Sequence, residues 1–300
     1  MDGLLRRQLD GVARDRRSGA AEIALRAVTA LQAWLRHHRQ PSEQELVEIA
    51  RAFLRAQPSM APLLRLANEV ALAVDSKEPV KTLLRTTADF NRLIRTAQHR
   101  IASHFERALR PSKSQILATY SYSSTVLHAV KYSRRHIPIV ICSESRPGKE
   151  GRHTAREMAA AGIHVVFATD VVLASRVDQV NALVIGADAI LPWGFVNKIG
   201  TDVLVVCALK ARTPVWILAD TTKFVPKPMA TKLWMVHTGK RAEVWPQAPP
   251  GVKSVNPLFE PAKFSSAIRV LTEHGWMTPE DVRRELSKIR VSPRLRALAD

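Results

Sequence analysis

The hydrophobic repeat of this chain changes once, near Ser114, and that change restricts the accessible folds more than any bulk property. Before it, apolar residues recur with helical spacing. Ala24, Ala27, Val28, Leu31, Trp34 and Leu35 fall at i, i+3, i+4, i+7, i+10 and i+11 and draw one stripe along a helix. A second helix is predicted from Ser42, where Ser42 and Glu45 make a capping box ahead of the stripe Leu46, Ile49, Ala50, Phe53 and Leu54. Pro58 and Pro62 then interrupt, a shorter helix is expected over Leu63 to Val74, and a long one beyond Pro79 carries Leu83, Leu84, Ile94, Ala97, Ile101 and Phe105 toward Arg110-Pro111. After Ser114, short apolar runs take over: Ile116 to Ala118, Ile137 to Ile141, His164 to Phe167, Ala182 to Ile185 and Val215 to Leu218. Helix-length segments such as Thr154 to Ala161 and Ile199 to Lys210 separate them. Strand followed by helix, repeated, predicts a doubly wound parallel sheet with right-handed crossovers. The tail returns to helix, with Thr278 as cap and Pro279 at the first helical position. The expected α/β organisation is an all-helical N-terminal domain over residues 1–111 and a sheet domain over 112–300, with ligand-binding loops at the strand C-termini.

Three hundred residues with 46% hydrophobic content are enough for a substantial core, and no Ser/Gly tract, heptad run or fixed repeat suggests a linker or solenoid. Cys142 and Cys207 each sit in an apolar run and read as core; neither they nor the scattered histidines have metal-ligand spacing. Neither a metal nor an organic cofactor is expected. Charges occupy the N-terminus where a signal peptide needs its apolar stretch, and no apolar run approaches the roughly 20 residues of a membrane span, so a cytoplasmic, membrane-free protein is expected. The balance of 45 basic and 27 acidic residues, net +18, invites nucleic acid. Its dispersal and the presence of only three tyrosines make that partner the less favoured one, and a phosphorylated small molecule accounts for part of the excess.

The stretch from Leu183 to Thr201 concentrates the candidate chemistry. A buried-strand signal, Leu183-Val184-Ile185, breaks at Gly186 into a loop bearing Asp188, then Trp193-Gly194, Asn197-Lys198 and the helix start Gly200-Thr201. In an open parallel sheet, anions gather at strand carboxyl ends and the helix N-termini beyond them, where unpaired N–H groups and the helix dipole favour negative charge. Lys198 adds a movable cation. On spacing alone, Asp188 is equally readable as a turn cap and Lys198 as a solvated lysine. Trp193 reads as a packed loop aromatic ahead of a pocket cover. Two further strand ends carry Thr119-Tyr120-Ser121-Tyr122-Ser123-Ser124 and the run Ser143 to Arg152, with Arg146, Gly151 and Arg152. With Asn197-Lys198 and Lys223, these are four anion-friendly elements, which together suggest a phosphate-bearing ligand.

ESRPGKEGRHTAREM (Glu144 to Met158), GADAI (Gly186 to Ile190), NKIGT (Asn197 to Thr201), Thr222-Lys223-Phe224 and Asn256-Pro257 occur in an order and at distances that resemble one superfamily. It comprises ribose-1,5-bisphosphate isomerase, 5-methylthioribose-1-phosphate isomerase and the alpha, beta and delta regulatory subunits of initiation factor 2B. The resemblance implies a helical domain on a Rossmann-like domain, a homodimer through the latter, and a ligand between the two. In those isomerases a cysteine after the first strand and the aspartate of the Gly-Ala-Asp motif move protons, or assist a hydride shift, between C1 and C2 of an opened sugar phosphate. Asp188 matches the second role. Ser121 stands where the isomerases have the cysteine of Thr-His-Cys, and a serine hydroxyl, unlike a thiol titrating near about 8.5, does not ionise unassisted at neutral pH. Two arginines of the bisphosphate isomerases also lack matches: Gln57 precedes Pro58-Ser59, and Ser18, beside Arg17, stands in the Arg-Gly-type turn. Tyr122-Ser123 matches a Tyr-Ser pair of the initiation factor subunits.

The resemblance therefore implies catalytic positions at Asp188 and Ser121 and substrate contacts at Tyr120, Ser123, Ser124, Arg146, Gly151, Arg152, Asn197, Lys198 and Lys223. The favoured expectation is a regulatory protein related to initiation factor 2B subunits that binds a sugar phosphate or nucleotide monophosphate without efficient turnover. The alternatives are an aldose–ketose isomerase using Asp188 as acid/base, and an interaction subunit with no ligand.

Overall fold

Asp2 starts the first helix: its carboxylate accepts hydrogen bonds from the Leu4 and Leu5 N–H groups at 3.1 and 2.9 Å. The structure, a computed structural model, describes residues 1–15, 18–58, 60–109, 114–230 and 238–298. Helix α1 (Gly3–Arg14) buries Leu5, Leu9 and Val12, and α2 (Ala20–His37) buries the stripe visible in its sequence. The Ser42–Glu45 capping box is formed on both sides and opens α3 (Glu43–Ala56). Pro62 does not interrupt the chain here. It lies in the first turn of α4 (Ala61–Val74), where a missing N–H is harmless. The long α5 (Pro79–Ala108) serves two cores. Leu83, Phe90 and Ile94 pack among the other helices, whereas Ala97, Ile101 and Phe105 pack on the sheet with Leu117, Val140 and Val184. The boundary expected at 111/112 lies outside the described residues, as do Arg17, Ser59 and Arg110-Pro111.

Next come β1 (Ile116–Thr119), α6 (Ser124–Tyr132), β2 (Ile139–Ser143), α7 (Gly151–Ala160), β3 (His164–Ala168), α8 (Asp170–Ser175) and β4 (Ala182–Gly186). A hairpin of β5 (Ala189–Leu191) and β6 (Gly194–Lys198) leads into α9 (Thr201–Lys210), β7 (Val215–Leu218) and the short α10 (Lys227–Ala230). The chain ends with β8 (Phe259–Lys263), β9 (Ile268–Thr272), β10 (Gly275–Met277), α11 (Pro279–Ser287) and α12 (Pro293–Leu298). The main sheet has the order β10-β9-β7-β4-β1-β2-β3 and is parallel except at β10. It is the α/β arrangement that alternating strands and helices predict. From β1 the chain builds outward to β2 and β3, then returns to the other side of β1 at β4, so the strand order reverses between β1 and β4. In open parallel sheets such a reversal marks the crevice, at the carboxyl ends of both strands, where ligands are held.

The sequence reading is corrected in three places. Asn197 and Lys198, expected in a loop, lie on β6, which pairs antiparallel with β5 and β8 in a second, three-stranded sheet. Both faces of this hairpin are covered: Ala189, Leu191 and Val196 join the helical core, while Ile190 and Phe195 join the sheet core. A ribbon buried on two sides shows no alternation for a period-two signal to detect. Second, three strands precede the terminal helix; β8 contains Pro261 and half-exposed residues, and β10 is only three residues long. Third, Trp193 is 46% exposed at the tip of the hairpin, and Cys207 is half-buried, packed against the edge of the sheet core. Cys142 is buried, and burial pushes its thiol up to about 12.

Beyond α11 the chain returns to the helices: the buried Asn68 donates to the Arg290 carbonyl at 2.9 Å and accepts from the Ser292 N–H at 2.9 Å. Among the described residues, no helix is long and apolar enough to cross a membrane.

Candidate functional site

Three strand ends and one turn converge on the crevice between β1 and β4. At the end of β1, Tyr120 is buried and its hydroxyl donates to the Ile199 carbonyl at 2.6 Å. Burial first, then the charges of Asp170, Glu150 and Glu260, hold its phenol above the ordinary value, so it stays a neutral donor. Ser121 has φ of 65°, and its backbone is fixed on both sides. Its N–H donates to Ser145 Oγ at 2.8 Å, and its carbonyl accepts from Thr154 Oγ1 at 2.9 Å. Ser123 caps α6, accepting from the Val126 N–H at 3.4 Å. Ser124 faces the helices instead, accepting from Gln98 Nε2 at 3.4 Å.

Beyond β2, the Asp170 carboxylate accepts from the N–H groups of Ser145 and Arg146 at 2.8 and 2.7 Å and so pins the Arg146-Pro147 corner. Gly151 opens α7 against the end of β2 so closely that a Cβ would lie 1.7 Å from the Ser143 carbonyl oxygen. This close approach accounts for the glycine without any ligand. Arg146 is half-buried, and Arg152 is exposed.

Beyond β4, Gly186 abuts the β1 loop: a Cβ there would sit 2.5 Å from Ser123 Oγ. Asp188 follows, its N–H donating to the Val196 carbonyl at 2.8 Å and its carbonyl accepting from Ala61 N–H, the first residue of α4, at 3.2 Å. Its carboxyl group is raised to about 6, chiefly by burial; Lys223 and Lys198 oppose the shift and Glu150 adds to it.

Both lysines are buried. Lys198 does not move freely: its Nζ is held 2.8 Å from Glu150 Oε1, and the other Glu150 oxygen, Oε2, is buried without a hydrogen-bond partner among the described residues. Lys223 ends the 3-10 turn Thr221–Lys223 after β7, which Asp220 caps by accepting from the Thr222 N–H and hydroxyl. Asn197 Nδ2 donates to Thr201 Oγ1 at 3.1 Å, and Thr201 donates to the Lys198 carbonyl at 2.6 Å, so this amide braces the turn into α9.

The fold thus gathers Asp188, Lys198 and Lys223 at the crevice where the Ser121 turn ends β1, and it leaves Ser124 turned toward α5 and Arg152 toward solvent. Several structural contacts around the site escaped the sequence reading. The N-terminus of α9, expected to receive a ligand's anion, already holds the Glu260 carboxylate, which accepts from Gly200 and Asp202 N–H groups at 2.7 and 2.9 Å. Gln57 is a brace, its Nε2 donating to the carbonyls of Val12, Ala13 and Asp15 at 3.1, 3.2 and 2.8 Å. Glu150 stood in a loop read only for its arginines and glycines; its place between two glycines just before a helix was the available signal.

A sequence profile of the initiation factor 2 subunit family matches residues 16–279. The chain belongs to this family. Within the initiation factor 2 subunit family it is 28% identical over 270 residues to the ribose 1,5-bisphosphate isomerase of Archaeoglobus fulgidus, covering 87% of this chain and 86% of that protein. It is 29% identical over 240 residues to a putative translation initiation factor eIF-2B subunit 2-like protein of Pyrococcus furiosus, covering 79% and 82%. The crystal structure of the Pyrococcus horikoshii OT3 translation initiation factor eIF-2B superposes with a TM-score of 0.79 at 24% identity, over 94% of this chain and all of that one. That likeness establishes the shared fold.

Proposed function

We propose that this member of the initiation factor 2 subunit family binds a sugar phosphate or nucleotide monophosphate in the β1–β4 crevice and acts as a regulatory protein without efficient isomerase turnover. The observation that carries the reading is the make-up of the crevice: two buried lysines beside Asp188 suit an anion, while the turn after β1 offers only the Ser121 hydroxyl, which does not ionise unassisted at neutral pH, where a thiol would be needed for proton transfer. Arg146, Ser123 and the half-buried Ser121 border the same space and complete the ligand contacts in this reading. The protein is cytoplasmic and pairs with a second copy through its sheet domain. Adjacent helices α8 and α9 support that pairing, because they leave Val171, Val203 and Val206 at 79%, 59% and 57% exposure.

One observation favours a second reading, an aldose–ketose isomerase acting on ribose 1,5-bisphosphate or a related ribose 1-phosphate. A carboxyl group poised at about 6 is matched to proton transfer near neutral pH. Asp188 would then take the proton from one carbon of the opened sugar and return it to the other, with the lysines holding phosphate. Both isomerases and initiation-factor-like proteins stand among the relatives.

Carbon-13 and phosphorus NMR of ribose 1,5-bisphosphate, then of 5-methylthioribose 1-phosphate, with stoichiometric protein separates the readings. Line broadening without conversion is the expected result. Conversion to the ketose, reduced about 100-fold or more in Asp188→Asn, would establish the isomerase; unchanged spectra would defeat the isomerase and the sugar phosphate ligand, and unchanged spectra of nucleotide monophosphates as well would defeat both readings.

A further inference from the structure

A second crevice, of about 730 Å³, opens where α4 and α5 face the turn after β7, the β9–β10 turn and the returning C-terminal chain. Its walls include Arg65 and Glu69 of α4, Arg85 of α5, Thr221, His274 and Arg290. It is separate from the Asp188 crevice, although the turn that brings Thr221 to one also brings Lys223 to the other.

The distinctive group is Arg65. Its Nε and Nη1 are buried and have no hydrogen-bond partner among the described residues. A guanidinium carries five N–H donors and keeps its charge at any physiological pH, so donors withdrawn from water require an acceptor. In folded proteins such unsatisfied groups mark places where water, an ion or a ligand completes the site. Glu69, one turn along α4, attracts Arg65 but makes no ion pair with it within 4 Å among the described residues, and burial pushes its own carboxyl up. The other acids around the space are engaged: Asp75 with Arg294 at 2.8 Å, Glu285 with Lys288 at 2.5 Å, and Glu273 with Thr221 and His274. Arg85 and Arg290, both exposed, have no carboxylate partner among the described residues. A concave space of this size, with a half-buried guanidinium whose Nε and Nη1 are closed to solvent and two further unmatched guanidiniums at its rim, is built for an anionic oxygen group.

We propose that this crevice is a second ligand site, taking a small molecule through a carboxylate or phosphate group that Arg65 anchors and Arg85 assists. Carboxylate and phosphate share the planar or tetrahedral oxygen geometry that a guanidinium grips with paired hydrogen bonds.

The test is calorimetric titration of citrate and of inorganic phosphate into the 300-residue protein, its Arg65→Met and Arg85→Ala variants, and Lys198→Met. The expected result is an anion-binding event that Arg65→Met and Arg85→Ala each weaken about tenfold or more and that Lys198→Met leaves in place. Preference for citrate assigns a carboxylate ligand, and preference for phosphate a phosphorylated one. Arg65→Met should also raise the melting temperature of the ligand-free protein, because it removes an uncompensated buried charge. The proposal is overturned if neither anion binds, if Lys198→Met alone abolishes binding, or if both arginine variants bind as the parent does. Arg85 is exposed, so its variant keeps the test decisive even where Arg65→Met folds poorly.

Discussion

Asp188 is a carboxyl group that folding makes harder to ionise, and its pH dependence follows from that. Its value rises from 3.8 to about 6, so between these the folded chain binds more protons than the unfolded one and stability falls as pH increases. The penalty is absent below the lower value, complete above the upper one, and on the order of 2 to 3 kcal/mol. Asp188→Asn should therefore be more stable than the parent at pH 7.5, with the difference vanishing near pH 4. Thermal unfolding across that range checks this, and a variant less stable at pH 7.5 would show that Lys198 and Lys223 need the charge more than the site resists it. Asp188, Lys198 and Lys223 were legible because each falls in a short motif at a strand end. The duties of Glu150, Glu260 and Gln57 were not, since their partners lie 48, 60 and 42 residues away along the chain.

Helix α7 shows how an element's seat can imitate a binding motif. Gly151 stands in an Arg- and Gly-rich loop that reads as a phosphate cradle, yet the helix start rests on the Ser143 carbonyl with no room for a methyl group. Gly151→Ala should cost about 2 kcal/mol or more, measured as a lower urea midpoint with an unchanged slope. Unaltered stability with weakened ligand binding would instead return the glycine to the ligand. The hairpin β5–β6 carries the same lesson further. It places Lys198 rigidly because strand residues on both its faces are buried, and only the helices and the sheet together bury them.

Across the whole molecule, the helical layer and the sheet are joined by the hairpin, by α5, and by the terminal segment held at Asn68. The exposed valines of α8 and α9 lie apart from that seam, and they support self-association. Sedimentation equilibrium should find the parent at twice 33.4 kDa and Val203→Asp/Val206→Asp at 33.4 kDa. A monomeric parent would remove the dimer from the account.

The sequence by itself determined the helical N-terminal segment, the parallel strands β1 to β4 and β7, the caps at Ser42 and Thr278, and the motif carrying Asp188. Each rests on contacts within a few residues or on one hydrophobic period. Only the tertiary structure decided that Asn197 and Lys198 sit on a strand, that Lys198 is held by Glu150, that α9 is capped by Glu260, and that two Arg65 nitrogens are closed to solvent beside a second crevice. Those outcomes depend on which distant carboxylates and apolar faces meet, and on how much water their meeting removes, which no local pattern records.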